Sequence, residues 1–387
     1  MFIYKTYKFR MYPTNEQVAK IMIFFKAKRF IYNNYINEMK KIEVARNKLE
    51  YLYSFEKFHE DLIKLKKEYP WLNDVDGCII RTTLQDVNDA YEKYYHGEAS
   101  YPKYKSYYQS QTYKTVCIYH NYRKNKSQSI EVNLAKKIIK LPKLNEVKIS
   151  GYRKLINFEK LILSVTVKKI GKKYYAQVLV KENWKNEVST KFSNNIVGID
   201  LGVKNIVTTS DGVKYPGLNI SRIQNQIKLL QKRLSSSQPG SKNHEKITLK
   251  IQRKYQVISN RRLDAINFIT NDLVKKYDIL VVENLSVKEM LQKSNSSLSD
   301  KMQNSSFYEI IKQLERKAYL YGKKVIKIDK FFPSSQLCSK CGYRNKELKN
   351  IDIRTWVCPK CNSNNDRDIN ASINIMKEGK KIMENNW

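Results

Sequence analysis

Four cysteines and three carboxylates are the side chains of this sequence whose type and spacing can do chemistry. Cys338 and Cys341 form one Cys-x-x-Cys pair and Cys358 and Cys361 a second, with sixteen residues between them. Such a spacing folds two knuckles around one tetrahedral Zn²⁺, an ion that thiolates suit. Gly342 follows the first pair and Pro359 lies inside the second, so each knuckle can turn its backbone amides toward sulfur. Two disulfides, or four unrelated buried thiols, are the competing reading of such a set. Directly after this ribbon comes Asp366-Arg367-Asp368-Ile369-Asn370-Ala371, which carries acids to wherever the ribbon docks. Two further acids, Asp200 and Glu283, end short apolar runs, Ile196-Val197-Gly198-Ile199 and Ile279-Leu280-Val281-Val282. Taken singly, an acid at the end of a strand is usually a turn or a helix cap. Three carboxylates gathered at the C-terminal edge of one α/β sheet make a hard-cation site instead. Two Mg²⁺ ions held roughly 3.5–4 Å apart at such a site suit phosphodiester hydrolysis.

The elements that must position these groups are legible as changes of period. Residues 1–13 alternate apolar or aromatic with basic side chains, Ile3 breaking the pattern, and predict a strand ended by Pro13. Thr14-x-x-Gln17 is a capping box for a helix with Val18, Ile21, Met22 and Phe25 on one face. A second helical face runs Phe55, Phe58, Leu62, Leu65 and Tyr69 before Pro70, and a third runs Leu84, Val87, Tyr91 and Tyr94. Residues 14–104 therefore read as a helical recognition bundle. Period two then takes over, and Leu161 to Val180 predicts a hairpin around Ile170-Gly171-Lys172-Lys173. Residues 1–13 and 105–185 read as a β-barrel-like wedge domain and the polar stretch 186–195 as a linker. Beyond it lies an α/β domain, 196–332 and 366–387, with the zinc ribbon at 333–365 inserted in it. Its further elements are a strand over Asn205 to Ser210 and a basic amphipathic helix marked by Ile220, Ile223, Ile227, Leu230 and Leu234. A Lys/Arg-rich helix over 247–276, a helix over 305–321, a strand over Val325 to Ile328 and a last helix beginning at Asp368 complete it. The fold class is α+β and multidomain.

A chain of 387 residues can bury two or more cores. Its net charge of +36 exceeds what solvation of a surface needs and points to a polyanionic partner, while an apolar content of 41% excludes a charged disordered tail. The 28 tyrosines, with abundant Lys, Asn and Ile, fit a base-composition bias of the source genome, so single Lys or Tyr positions say little, although exposed Tyr can stack on bases. No signal-peptide pattern opens the sequence, and its longest wholly apolar run, Ile21 to Phe25, cannot span a bilayer. A cytoplasmic chain without a membrane partner is expected, with Cys78 and Cys117 reduced and buried.

Two resemblances compete for the acid-bearing strands. Gly198-Ile199-Asp200-Leu201-Gly202 resembles the first phosphate motif of the actin/chaperone ATPases, but those need a second Asp-containing phosphate loop and an adenosine-binding Gly pair, and neither follows Glu283 in a chain with 12 glycines. IVGIDLGVKNIVTTSDG, DILVVENLSVKEML and FFPSSQLCSKCG…WVCPKCNSNNDRDINASINI resemble the three split motifs and inserted zinc ribbon of the RuvC-like, RNase H-like nuclease domain of the TnpB family. That family is transposon-encoded and related to compact type V CRISPR effectors. Weaker likeness extends to YKFRMYP, AYEKYYHGEASYPKYKS and KLPKLNEVKISG, so nearly the whole chain is covered. Where the family often has His-Asp-Arg-Asp, this chain has Asn365-Asp366-Arg367-Asp368.

The resemblance implies an RNA-guided DNA endonuclease. A guide RNA would pair with target double-stranded DNA beside a short flanking motif, and one Mg²⁺-dependent site would cut both strands. By carry-over, Asp200, Glu283 and Asp368 are the catalytic, magnesium-binding acids, and Cys338, Cys341, Cys358 and Cys361 the zinc ligands. Arg81, Thr82 and Gln85 align with flanking-motif contacts, although an ordinary polar helix face explains them equally well. A monomer is expected. Three alternatives stand beside this reading: a compact type V CRISPR effector, an RNA-guided DNA-binding repressor without cleavage, and a structural zinc-ribbon DNA-binding protein that leaves Asp200 and Glu283 unexplained.

Overall fold

The computed structural model describes residues 2–45, 55–107, 111–122, 125–151, 161–183, 195–202, 204–284, 307–350 and 352–385. The chain forms two compact units, Met1–Trp184 and Lys185–Trp387. The expected linker falls, except for Asn195, outside the described residues, as does the continuation of the second acid motif from 285 onward.

In the first unit β1 (Phe2–Tyr12) leads into α1 (Asn15–Ala45). The capping box forms as the sequence predicts: Gln17 N donates to Thr14 Oγ1 at 3.3 Å, and Thr14 N donates to Gln17 Oε1 at 3.0 Å. Helix α2 (Phe55–Glu68) and α3 (Gly77–Tyr95) follow, the latter capped by Asp76, whose Oδ1 accepts from Cys78 N at 3.1 Å. Then come β2 (Thr112–Val116), the isolated hairpin β3 (Tyr119–Tyr122) and β4 (Asn125–Gln128), β5 (Glu131–Asn133), β6 (Ile138–Leu141), β7 (Asn145–Ser150), β8 (Leu161–Ile170) and β9 (Lys173–Asn183). Seven strands form one antiparallel sheet in the order β2-β8-β9-β1-β7-β6-β5. The expected barrel does not appear: among the described residues the sheet is open, with β2 and β5 at its edges. Gly171 turns the predicted hairpin with φ 58°. Ile3 does not break the alternation of β1; it is buried in phase with Tyr7, Phe9 and Met11, so the odd positions form the inward face throughout. The helices pack on that face in one cluster that unites Phe9, Phe24, Leu84, Tyr91 and Tyr113. Tyr94 lies outside the expected apolar face, exposed, and Cys78 is half-buried while Cys117 is buried.

The second unit is built on a five-stranded sheet in the order β12-β11-β10-β13-β14, from β10 (Ile196–Asp200), β11 (Asn205–Thr209), β12 (Lys214–Pro216), β13 (Ile279–Glu283) and β14 (Lys324–Ile328). The strands β10, β13 and β14 run parallel, and β11 and β12 join antiparallel. The first four positions of β10 and of β13 are apolar, each strand ending in its acid, because both faces of the sheet are covered there. On one face α5 (Lys242–Lys276) and α6 (Phe307–Leu320) pack Leu273 and Leu314 against Ile199, Leu280 and Val282. On the other face α7 (Arg367–Asn385) lays Ile375 against Ile279, Val281 and Ile328. Helix α4 (Ser221–Ser235) pairs with the first half of α5 around a separate isoleucine cluster. Between β14 and α7 stands the ribbon with its small hairpin, β15 (Thr355–Val357) and β16 (Asn364–Asp366). Among the described residues no helix is long and apolar enough to cross a membrane.

Candidate active site

Parallel pairing of β10 with β13 sets Ile199 opposite Val282, so Asp200 and Glu283 end adjacent strands at the same level. Side chains at the carboxyl ends of parallel strands are aimed at the crevice where ligands collect in α/β sheets. The third acid comes from α7, which crosses the same sheet face at very short range. A Cβ on Gly198 would lie 2.0 Å from Ser372 O and 2.6 Å from Met376 N, and a Cβ on Gly379 would lie 2.5 Å from the methyls of Val281. Two glycines thus seat the helix almost backbone to backbone on β10 and β13, and its first turn carries Asp368 to the strand ends.

Within the Asp366-Arg367-Asp368 cluster the acids divide their work. Asp366 Oδ1 accepts from the amides of Asp368 and Ile369 at 3.1 Å each, capping α7, while its Oδ2 holds Lys214 Nζ at 2.6 Å. Burial opposes ionisation of Asp366, but Lys214 and these amides outweigh it and hold its carboxyl below the usual range. Asp368, freed from capping, meets the Arg354 guanidinium at 3.4 Å. Burial, then the charges of Glu283 and Asp368, drive the pKa of Asp200 well above that of an ordinary carboxylate, against the pull of Arg367 and Arg354. Glu283 is also raised by burial, opposed by a hydrogen bond from Ser334 Oγ to its Oε1 at 2.5 Å. Asp200 thus feels the charges of both other acids, with Arg354 and Arg367 nearby as partial counter-charges, so three hard oxygen donors neighbour one another at one strand edge.

The four cysteine sulfurs all lie within 4.8 Å of one another, with Cys338 Sγ 3.7 Å from Cys361 Sγ and Cys341 Sγ 3.5 Å from Cys358 Sγ. Each knuckle is closed by backbone bonds, Gly342 N to Cys338 O at 2.9 Å and Asn362 N to Cys358 O at 2.8 Å, with positive φ at Gly342 and Asn362. Burial disfavours a thiolate at Cys338, yet the Ser363 hydroxyl and the amides of Cys341 and Lys340 overcome it and bring its pKa down to about 6. The amides therefore do turn toward sulfur, and the four thiols fit a structural zinc site.

Sequence reading missed how the ribbon is fastened. Asn370 and Asn374, one turn apart on α7, act as a clamp: Asn370 Oδ1 accepts from Ser339 N at 2.8 Å and its Nδ2 donates to Leu337 O at 2.6 Å, while Asn374 Nδ2 donates to Leu337 O at 2.7 Å and Ser334 O at 2.8 Å. Lys377 Nζ also donates to Ser339 O. Asparagine is a poor helix former, so two at this spacing in an apolar run were the available signal. A glycine in mid-strand, Gly198, likewise signalled a close backbone approach.

In the first unit Arg81 and Gln85 stand exposed one turn apart on α3. Gln85 Nε2 donates to Asp89 Oδ1 at 3.0 Å, and Thr82 Oγ1 donates to Lys114 O at 2.9 Å, which ties Thr82 to β2.

Three family models match the chain in order. Residues 1–47 match a helix-turn-helix domain (HTH_OrfB_IS605), 176–294 match OrfB_IS605, described as a probable transposase, and 307–375 match the Cas12f1-like TNB domain. The described part of the first segment is the strand β1 followed by the single long helix α1. A Streptomyces pristinaespiralis protein named "Putative RNA-guided DNA endonuclease" is 26% identical over 97% of this chain and 89% of its own length. The Escherichia coli K12 protein InsQ, given the same description, is 26% identical over 98% of this chain and 93% of its own. One chain of a Cas12f1-sgRNA-target DNA complex superposes with a TM-score of 0.47 at 15% identity, covering 97% of this chain and 99% of that one. With these segments matched in sequence order and relatives aligned from end to end, the chain is similar along nearly its whole length to the TnpB and OrfB_IS605 proteins.

Proposed function

We propose that this chain is an RNA-guided DNA endonuclease of an IS605-type transposon, in which a guide RNA pairs with double-stranded DNA beside a short flanking motif and one carboxylate site hydrolyses both strands. The observation that carries this reading is the register that sets Asp200 and Glu283 level on adjacent parallel strands, with the charge of Asp368 on α7 acting on Asp200. Asp200, Glu283 and Asp368 would hold Mg²⁺. Bound there, the metal supplies Lewis-acid activation of water and neutralises charge on the scissile phosphate. The chain's own part is to hold three acids in register: Ser334 orients Glu283, Arg354 orients Asp368, and the zinc-loaded ribbon fixes the start of α7 through Asn370 and Asn374. A net charge of +36 suits a protein that tracks nucleic-acid backbones and leaves sequence reading to base pairing. Arg81, Thr82 and Gln85 remain the side chains proposed to read the flanking motif, Thr82 being also bonded to the β2 backbone, and the aligned relatives named as RNA-guided support the same assignment of activity.

The test is plasmid cleavage with the guide RNA that copurifies with the protein. Replacement of Asp200, Glu283 or Asp368 by Ala is expected to abolish nicking of both strands while target binding in a gel shift persists. Near wild-type cutting of one strand by any single-acid variant, or target cutting without RNA, overturns the reading.

A further inference from the structure

Two cavities lie side by side in the first unit between α1 and the segment leading into β2. One is an apolar slot of about 260 Å³ walled by Met22, Ile23, Phe25 and Tyr107. The other, of about 310 Å³, is bordered by Lys28, Lys105 and Ser106. Phe25, Arg29 and Gln111 belong to both, so the two communicate across a shared wall. The second volume reaches the lower end of small-ligand pockets, ~300–1,000 Å³, and the first falls just short of it.

The walls are built and not incidental. Asn33 holds the Lys105 backbone from both sides, its Oδ1 accepting from Lys105 N at 2.8 Å and its Nδ2 donating to Lys105 O at 3.0 Å. The Lys105 ammonium sits over the Tyr32 ring at 3.5 Å and the Arg29 guanidinium over the Tyr107 ring at 5.3 Å. Lys28 pairs with Asp86 at 2.6 Å, which leaves Arg29 and Lys105 in excess over the carboxylate present. Burial, then repulsion from Lys28, lowers the pKa of Lys105 to about 8, with Asp86 opposing. In the shared wall Gln111 Oε1 is buried with no hydrogen-bond partner among the described residues. An apolar slot floored by aromatic rings, an adjoining cationic pocket and a spare amide acceptor between them match the parts of a nucleotide: base, phosphate, and a donor on the base edge.

We propose that this double cavity takes one unpaired nucleotide of a nucleic-acid strand, with the base in the slot against Phe25 and Tyr107 and its phosphate against Arg29 and Lys105. A paired base is stacked on both sides and cannot enter such a slot without leaving the duplex. The site rests on the proposed nucleic-acid function only for which strand supplies the nucleotide.

The experiment uses the full chain and three fluorescent probes, each titrated at a series of salt concentrations: a twelve-nucleotide RNA, the DNA strand of the same sequence, and the matching DNA duplex. Tyr107, exposed at 53%, can be altered without opening a core. Tyr107→Ala is expected to weaken single-strand binding roughly tenfold, whereas Tyr107→Phe retains it, because stacking needs the ring and not the hydroxyl. Lys105→Met is expected to lower the slope of log affinity on log salt by about one for the single strand. Duplex binding should be unchanged in each. A photoactivatable thiouridine or thiothymidine in the single-strand probe should crosslink to the peptide carrying Phe25 or Tyr107. Whichever single strand, RNA or DNA, loses affinity identifies the source. The proposal is overturned if neither variant departs from an exposed-turn control, Lys172→Ala, if both weaken duplex and single strand alike, or if every crosslink maps elsewhere. Because no readout is cleavage, failure here leaves the nuclease reading standing, and retained cleavage in the acid variants, which overturns that reading, leaves this site standing.

Discussion

Replacing Gly198 by Ala adds one methyl group at the point where β10 and α7 meet almost backbone to backbone. The new Cβ would lie 2.0 Å from Ser372 O and 2.6 Å from Met376 N, against an ordinary contact of 3.4–4 Å. Both atoms are backbone, so no rotamer change relieves the clash, and the helix must retreat by more than an ångström. Overpacking of this kind costs about 1–3 kcal/mol, or a fall in Tm of roughly 2–12 °C for a unit of this size. The larger effect is expected on cleavage. Asp368 rides on α7 only one turn before Ser372, whereas Asp200 ends β10 two residues after Gly198, so the substitution separates the acids directly. Misplacement by about 1 Å can cost on the order of 10²-fold in rate. The assay is the initial rate of nicking of a supercoiled target plasmid, measured well below the variant's Tm, beside a calorimetric melt. Gly379→Ala serves as the milder companion, because it meets only the Val281 side chain at 2.5 Å and should be rescued by Val281→Ala. Wild-type Tm and wild-type rate in Gly198→Ala would refute the close-approach argument. A lower Tm with an unchanged rate would show that α7 can move without disturbing the acids.

Zinc content should be one ion per chain, and Cys358→Ser, which opens a closed four-sulfur shell, should lower it and loosen the ribbon. Plasmid cleavage should then fall because the start of α7 is no longer fixed; full activity in a zinc-free variant would break the proposed coupling. Asp200→Asn should raise the Tm of metal-free protein while abolishing cleavage. The sign follows from its raised pKa: from the ordinary carboxylate range up to the elevated folded value the native state binds more protons than the unfolded chain, so metal-free stability falls as pH rises through that window, and the amide removes that slope. Melts between pH 4 and 8 with and without the substitution check it, and parallel pH profiles would contradict it.

Much of the second unit was legible because its strands end in acids and its cysteines are spaced for metal, and both signals survive on a single sequence. Ile196 to Asp200 and Ile279 to Glu283 are apolar runs too short for helices and suited to strands buried on both faces, and the structure pairs them in parallel. What the sequence did not announce is how α7 is held. Gly198, Gly379, Asn370 and Asn374 act through contacts with residues far away in the chain, and neither period nor composition reveals a partner at that distance. The first unit was harder for a different reason. Alternation predicts strands but not closure, which depends on whether the edges β2 and β5 find each other, and no local rule decides that. The apparent break at Ile3 came from counting phase from Phe2, an exposed aromatic, when the inward face runs through the odd positions. The double cavity at Phe25 and Gln111 was invisible for the same reason as the glycines: helix α1 and the start of β2 are separated in sequence by the whole of α2 and α3.

The seat that Gly198 offers to Ser372 and Met376 stays empty during synthesis until roughly 170 further residues have been made. At about 5–20 residues per second that delay is on the order of 10–30 s, and for its later half, once β13 has been made, β10 and β13 carry two acids on a sheet not yet covered by α7. On the proposed reading, a ribosome-bound chain can already hold nucleic acid through its early helices but has no third acid with which to cut. On the same reading, any chain stalled or cleaved short of Asp368 is left without the third acid as well.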